Sequence, residues 1–174
     1  MQERTISTRL VADFFTHSHR LSGSVDVRYR NLADQLNNQS TSFIQLDDVY
    51  VSSVACPADI TASHATSILR KPSIIAVVVT QQDSGLPREH TYGSYFGAHL
   101  RKISAIVPNF EIEGYLRIAG RWAIQTVLTS GTDDFIPILD GQMRAAAHPD
   151  TVFAGGAILI NKSHIAALCE EKEE

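Results

Sequence analysis

The stretch "SILRKPSIIAVV" (Ser67–Val78) is partly repeated 90 residues later as "AILINKSHIAAL" (Ala157–Leu168). Laid over each other without a gap, the two stretches agree at five positions, one of which places Ile75 on Ile165. Each consists of two runs rich in β-branched and other apolar residues, typical of buried strands, with a short polar turn between them. Similarity at a fixed spacing indicates an internal repeat, so we expect one strand–turn–strand unit to occur twice.

Two further matches precede this one in the same order. "RLSGSVDVRYR" (Arg20–Arg30) lies over "EIEGYLRIAGR" (Glu111–Arg121) at a spacing of 91 residues. "FIQLDD" (Phe43–Asp48) lies over "FIPILD" (Phe135–Asp140) at a spacing of 92 residues. Three collinear matches with nearly constant spacing indicate that most of the chain consists of two copies of one repeat.

The matches predict how the chain is divided. We expect a first copy at residues 8–80 and a second copy at residues 99–169. The segment between them, "QQDSGLPREHTYGSYFGA" (81–98), is rich in Gly, Pro and polar residues and is interpreted as a connector. The last five residues, "EEKEE" (170–174), are interpreted as an acidic tail exposed to solvent.

Inside each copy the hydrophobic pattern is mostly that of β-strands. Apolar and polar residues alternate over Leu21–Tyr29, and Gly23 in this strand has its counterpart in Gly114. A glycine inside a strand predicts a bend or a close approach of another backbone. One helix-like piece follows in each copy, "NLADQLN" (Asn31–Asn37) and "WAIQTVL" (Trp122–Leu128), and the first of them starts with a capping-type Asn.

Each copy therefore contains five short strands and one short helix. This predicts a small, strongly bent barrel that removes exposed edges by closing on itself. The order resembles the Sm-like fold, a five-stranded barrel of the SH3-like kind, whose first motif bends two strands around a glycine and places an acidic residue in the third. Gly23 with Asp47 or Asp48 is similar to that motif, and so is Gly114 with Asp140. The resemblance implies a mostly β protein with two tandem Sm-like barrels, each with a helical insertion.

The RNA site of the Sm-like family does not carry over to this chain. The family places an Asn that contacts an RNA base shortly after the acidic residue, whereas this sequence has Val49–Val51 in one copy and Gln142–Arg144 in the other. The net charge is −4, of which the acidic tail contributes −3 from four Glu and one Lys. The rest of the chain is thus close to neutral and lacks the basic excess of most nucleic-acid-binding proteins.

The sequence points to assembly more than to catalysis. It contains no nucleophile elbow, no dinucleotide fingerprint and no phosphate loop, so we expect neither an enzyme nor a bound cofactor. It has no apolar run long enough for a signal peptide or a membrane span, and a cytoplasmic protein is expected. We predict that it acts through self-assembly, most simply as a homodimer, or through a protein partner, with strand edges at Ile74–Val79 and Ile158–Leu168. The alternative is an RNA-binding module of Sm-like type.

Two groups of residues are candidates for a binding site. His17 and His19 lie on one side of an extended segment, as two metal ligands do, and His64 is a third candidate. We favour the alternative, a polar turn between two strands. Tyr92, Tyr95 and Phe96 in the connector are a possible binding surface, because aromatic residues on loops stack on bases and ligands. The alternative for these aromatic residues is a cover over the joint between the two barrels.

Four small residues carry weaker expectations. Cys56 and Cys169 are single and far apart in sequence, which predicts two buried thiols without a metal or redox role. Gly155 and Gly156 predict a hairpin turn or a bulge before the strand that contains Ile158.

Overall fold

The computed structural model of the chain describes residues 8–80, Leu86, 98–119 and 123–172. Within these residues it contains ten β-strands, two short α-helices and two short 3-10 helices. The first half comprises β1 (Arg9–Phe15), β2 (His19–Asp26), α1 (Leu32–Asn37), β3 (Phe43–Ser53), β4 (Cys56–Arg70), the 3-10 helix Lys71–Ser73 and β5 (Ala76–Val79). The second half comprises β6 (Ala98–Val107), β7 (Phe110–Ala119), α2 (Ile124–Thr129), β8 (Phe135–Ala145), β9 (Val152–Asn161), the 3-10 helix Lys162–His164 and β10 (Ala167–Glu170).

All ten strands belong to one antiparallel sheet, which confirms the predicted mostly β fold. Their order is β10-β6-β7-β8-β9-β5-β1-β2-β3-β4, so each half contributes five adjacent strands and the halves meet where β5 pairs with β9. The sheet is open, because β4 and β10 stand at its two ends. The prediction that each half closes its own barrel is therefore wrong at the level of strand pairing. The strand β5 of the first half uses one edge for β1 and the other for β9 of the second half.

The two halves use the same strand pairing at equivalent positions. Gly23 lies opposite Ala12, and Gly114 lies opposite Ile103, which is 91 residues further along in both cases. The register of the following strand shifts next to each of these glycines. A Cβ atom on Gly114 would lie 2.5 Å from Ile138 Cγ2, so this glycine permits the predicted close approach of two strands.

A second equivalence follows in the third strand of each half. Asp48 has φ of 51° and Asp140 has φ of 47°, a left-handed conformation that few residues other than glycine adopt. The two residues are 92 positions apart, and β3 and β8 also begin 92 positions apart, at Phe43 and Phe135. Positions separated by 91 or 92 residues therefore occupy the same place in the two halves.

The spacing of 90 residues between the opening stretches is wrong by one position. Ile74 N donates to Lys71 O at 3.1 Å, and Ile165 N donates to Lys162 O at 3.1 Å. Ile165 is therefore the counterpart of Ile74, and not of Ile75 as the ungapped comparison predicts. The error arises because both strand runs are apolar at successive positions, so neighbouring letters match whether or not the hydrogen-bond register agrees.

Both helices form near their predicted positions. α1 begins after Asn31, whose side-chain oxygen accepts a hydrogen bond from Asp34 N at 2.9 Å. α2 begins after Ala123 and has no capping side chain.

Three details of the prediction need correction. Gly155 and Gly156 lie inside β9, and not in a hairpin turn. Glu170, assigned to the acidic tail, is the last residue of β10. Cys56 and Cys169 are exposed rather than buried. Cys56 directly follows the β3–β4 turn, and Cys169 lies in β10, which has a neighbouring strand on one side only among the described residues.

The core consists of two clusters, and each crosses the boundary between the halves. The first cluster surrounds Phe14 and Leu46 and includes Phe135 and Leu159 from the second half. The second cluster surrounds Ile103 and also contains apolar residues of β5 and its approach. Because each cluster takes residues from both halves, the halves stabilise one another directly.

Candidate functional site

The candidate binding surfaces of this protein are the two ends of the sheet. β4 and β10 each pair with one neighbour, and the described part of the chain supplies no strand for their outer edges. An unpaired edge presents free backbone N–H and C=O groups and can accept another strand. The pairing of β5 with β9 shows how such an edge is covered within this chain, and we call that region, with α1, the internal junction.

The internal junction begins with four residue pairs, which run from Ala76 opposite Ile160 to Val79 opposite Ala157. Backbone hydrogen bonds extend it in both directions. Asn161 N donates to Ile75 O at 2.9 Å, and Gly156 N donates to Thr80 O at 3.0 Å. The buried side chain of Asn161 adds a bond from Nδ2 to Ile74 O at 3.0 Å. Six consecutive positions of each strand thus take part in the contact.

Helix α1 covers the same junction from one side. Asn37 Nδ2 donates to Phe135 O at 3.1 Å, and Phe135 N donates to Asn37 Oδ1 at 2.8 Å. Gln39 Nε2 donates to Thr132 O at 2.9 Å. Since α1 belongs to the first half and β8 to the second, these bonds fix the orientation of one half against the other.

The equivalent residues at the ends of the sheet are exposed. Ile68 of β4 corresponds to Leu159 of β9, and the exposed fractions are 57% and 0%. Phe43 of β3 corresponds to Phe135 of β8, with exposed fractions of 47% and 2%. Phe43 and Ile68 share one face of the sheet, because Phe43 lies opposite Arg70 and Ile68 lies opposite Gln45. We call Phe43, Gln45 and Ile68 the β3–β4 face.

At the other end of the sheet, residues of α2 and β10 are more exposed than their counterparts in α1 and β5. Leu128 of α2 is 40% exposed, whereas its counterpart Leu36 of α1 is 1% exposed. All four residues of β5 are buried, whereas Ala167 and Leu168 of β10 are half-buried and the next two residues are exposed. We call Leu128 together with Ala167–Glu170 the α2–β10 end. The β3–β4 face therefore corresponds to the β8–β9 side of the internal junction, and the α2–β10 end corresponds to the α1–β5 side. Each end lacks the opposite side that covers its counterpart at the internal junction.

The predicted metal ligand His17 lies in the turn between β1 and β2, and His19 is the first residue of β2. His17 and His19 are both exposed, and the ring of His17 lies against the ring of His164 at 5.6 Å between centroids. His164 was not a predicted site residue, and its Nε2 atom lies 2.8 Å from Pro72 O across the boundary between the halves. The described residues contain no group of three or more His, Cys, Asp or Glu side chains placed to hold a metal ion. Tyr92, Tyr95 and Phe96 lie outside the described residues.

A cleft of about 710 Å³ lies beside Arg20, between the β3–β4 turn and the β8–β9 turn. The guanidinium of Arg20 forms an ion pair with Asp13 at 3.0 Å, donates to Pro57 O at 3.2 Å and lies 5.1 Å from the ring centre of Phe153. These contacts join the two halves and occupy the charged group. Asp59, His148 and Asp150 also line the cleft.

Lys71, in the polar turn of the stretch Ser67–Val78, has a structural role. Its ammonium is buried and donates to Asn38 O at 2.8 Å, to Thr41 O at 3.0 Å and to Thr41 Oγ1 at 2.8 Å. Burial lowers the pKa of Lys71 below its usual value. Because Asn38 is the C-cap of α1, Lys71 satisfies the end of that helix.

No family model, curated protein or solved structure with which the chain was compared matches it. In the described part of the chain, no helix has both the length and the apolar character required to cross a bilayer. The case for function therefore rests on the geometry of the sheet ends.

Proposed function

We propose that this chain is a non-catalytic tandem Sm-like protein, with units at residues 8–80 and 99–169, that works by assembling with further copies of itself. The α2–β10 end of one copy covers the β3–β4 face of the next and repeats the internal junction between molecules. The observation that carries the proposal is the exposure of Ile68, whose counterpart Leu159 is buried when an equivalent strand pairs beside it. Exposed apolar groups on an unpaired edge favour strand addition.

In the proposed contact, the strands take the same register as at the internal junction. The counterparts of Ala76 opposite Ile160 and of Val77 opposite Leu159 are Ala167 opposite Leu69 and Leu168 opposite Ile68. Leu128 then lies near Phe43, as Leu36 lies near Phe135 at the internal junction. Apolar character thus agrees at these two pairs and between Leu128 and Phe43. The next two pairs, Cys169 with Ser67 and Glu170 with Thr66, are more polar than their counterparts at the internal junction.

The contact joins different surfaces of the two copies. Two copies that make it twice form a closed dimer, the simplest assembly predicted from the sequence, and more copies form a larger ring or an open filament. A protein partner that offers a strand to the same edge would use the same chemistry. We place self-assembly first because the chain itself carries both complementary surfaces.

Light scattering coupled to size-exclusion chromatography tests this function. We expect wild type at micromolar concentration to exceed the chain mass of 19.1 kDa by a whole-number factor. Ile68→Asp and Leu128→Asp, on opposite surfaces, should each reduce the species to a folded monomer, because a charge replaces an apolar contact. A monomer for wild type across the micromolar range would contradict the proposal, and so would an oligomer that both variants leave intact.

RNA binding remains the alternative function implied by the fold resemblance. Lys71 is buried and its ammonium donates three hydrogen bonds, so this side chain does not offer a phosphate contact. We expect fluorescence anisotropy with a labelled single-stranded RNA to give no binding tighter than about 1 μM at physiological salt. Tighter binding with a steep salt dependence would favour the alternative.

A further inference from the structure

β4 and β9 differ at the position that decides how closely a neighbouring strand can approach. His64 of β4 lies opposite Val49, and Gly155 of β9 lies opposite Gly141. Since Val49 and Gly141 are 92 positions apart, and His64 and Gly155 are 91 apart, the two residues occupy the same place in the two halves. The first half therefore has a large side chain where the second half has none.

Gly155 is needed at the internal junction because β5 passes directly over it. A Cβ atom at this position would lie 2.5 Å from Val79 O and 3.0 Å from Val78 Cγ1. The first distance is to a backbone atom, which can move only if the strand moves. The absence of a side chain at Gly155 thus allows the pairing to continue to Gly156, whose N–H donates to Thr80 O.

The same requirement applies between copies, if the head-to-tail contact of the proposed function is correct. The counterpart of Val79 in β10 is Glu170, so His64 of one copy faces the backbone of Glu170 of the next. The Cβ atom and imidazole of His64 occupy the space that the approaching strand needs. β10 must therefore turn away after the pair formed by Glu170 and Thr66.

We propose that His64 is a specificity-determining residue that ends the pairing between copies one hydrogen bond short of the internal junction. The bond lost is the counterpart of Gly156 N to Thr80 O, which would join Ala65 N to Glu171 O of the next copy. The contact between copies is consequently weaker than the contact within a chain. This difference favours pairing of β5 with β9 of its own chain over pairing with β4 of another, and it makes the assembly reversible.

Three substitutions distinguish the effect of the His64 Cβ atom on self-association from the effects of its imidazole and of chain flexibility. His64→Gly removes the obstacle, His64→Ala keeps the Cβ atom, and Ser63→Gly introduces a flexible residue one position away in the same strand. We expect His64→Gly to lower the dissociation constant for self-association about tenfold, the effect of roughly one hydrogen bond with relief of crowding. His64→Ala and Ser63→Gly should stay within about twofold of wild type.

Sedimentation velocity over a dilution series measures the dissociation constants, and hydrogen exchange adds a local readout. Assembled His64→Gly should protect the amide of Ala65, which should exchange freely in assembled wild type. An unchanged constant for His64→Gly in a protein that self-associates would overturn the role of His64 and leave the proposed function intact. If His64→Ala lowered the dissociation constant as much as His64→Gly, the Cβ atom would not be the obstacle to pairing. If wild type and His64→Gly both remain monomers, the inference and the proposed function fail together.

Discussion

The internal junction and the ends of the sheet are built from equivalent residues, yet they differ in almost every measure of burial. Leu159, Phe135 and Leu36 are buried, whereas their counterparts Ile68, Phe43 and Leu128 are exposed. The three exposed residues differ little in size and polarity from the buried ones, so local sequence does not account for the change. What differs is the presence of a neighbouring strand and helix. An exposed residue whose counterpart is buried therefore marks a surface that lacks its neighbour.

This comparison also shows which contacts hold the single chain together. Every strong interaction of the internal junction joins the first half to the second, including the bonds of Asn37 and Asn161. The ends of the sheet contribute little to the stability of the monomer, because their apolar groups remain in water. Substitutions at equivalent positions should accordingly affect stability at the junction and association at the ends.

The largest difference is expected between Leu159→Asp and Ile68→Asp. A carboxylate at position 159 would be buried without a partner, so the free energy of unfolding should fall by at least about 3 kcal/mol. At position 68 the carboxylate stays in solvent, and the thermal midpoint of the dissociated chain should remain within about 2 °C of wild type. Circular dichroism at low micromolar concentration measures both. Equal loss of stability in the two variants would show that β4 is already covered in the monomer.

A smaller effect is expected from Gly155→Ala. The added Cβ atom meets the backbone of Val79, and overpacking of this kind costs about 1–3 kcal/mol. The matched change His64→Ala, at the equivalent position of β4, should alter the free energy of unfolding by less than about 0.5 kcal/mol. Urea denaturation of the two variants provides the measurement. A stable Gly155→Ala protein would mean that β5 does not depend on the glycine for its approach.

Asn37→Ala should have a moderate effect. It removes both hydrogen bonds to the backbone of Phe135 and leaves buried groups without partners, which costs about 1–2 kcal/mol. Thr129→Ala, at the equivalent position of α2, should change the free energy of unfolding by less than about 0.5 kcal/mol. The same denaturation experiment applies. If Thr129→Ala proved as costly as Asn37→Ala, the two helices would not differ in the way that the comparison requires.

The smallest effect concerns Asp47, a half-buried residue whose counterpart is the buried Leu139. The Arg9 guanidinium, hydrogen-bonded to the carboxylate, lowers the pKa of Asp47 below its usual value. A lowered pKa in the folded chain gives stability that is present above the unfolded pKa and is lost as pH falls through the folded pKa. Asp47→Asn should therefore lower stability slightly at neutral pH and match wild type at acidic pH, where the Asp47 carboxyl of wild type is itself protonated. Thermal midpoints from pH 7 down to pH 3 would reveal it, and a parallel shift at every pH would contradict this explanation.

The sequence predicts local structure well in this chain because local rules govern it. The cap at Asn31 and the glycines of β2 and β7 are where the patterns indicate. Whether each half closes into a barrel, and which side chains are exposed, depends on contacts between residues far apart in sequence. The pairing of β5 with β9 joins residues about 80 positions apart, and no pattern within either copy distinguishes it from closure of a single barrel. The exposure of Cys169, whose counterpart Val78 is buried at the internal junction, depends on the same long-range pairing.

The most direct test of the account is a disulfide between copies at the register of the internal junction. Ser67 lies opposite Cys169 of the next copy in the proposed contact, and paired residues of neighbouring strands lie within the Cα separation that a disulfide spans. In a Cys56→Ser background, Ser67→Cys should form a disulfide between copies with Cys169 under mild oxidation with oxidised glutathione, as seen on non-reducing gels and by peptide mass spectrometry. Ser63→Cys, on the same strand but out of register, should not. Equal crosslinking at positions 63 and 67, or none at position 67 in a protein that self-associates, would contradict the claim that the internal junction is the template for assembly.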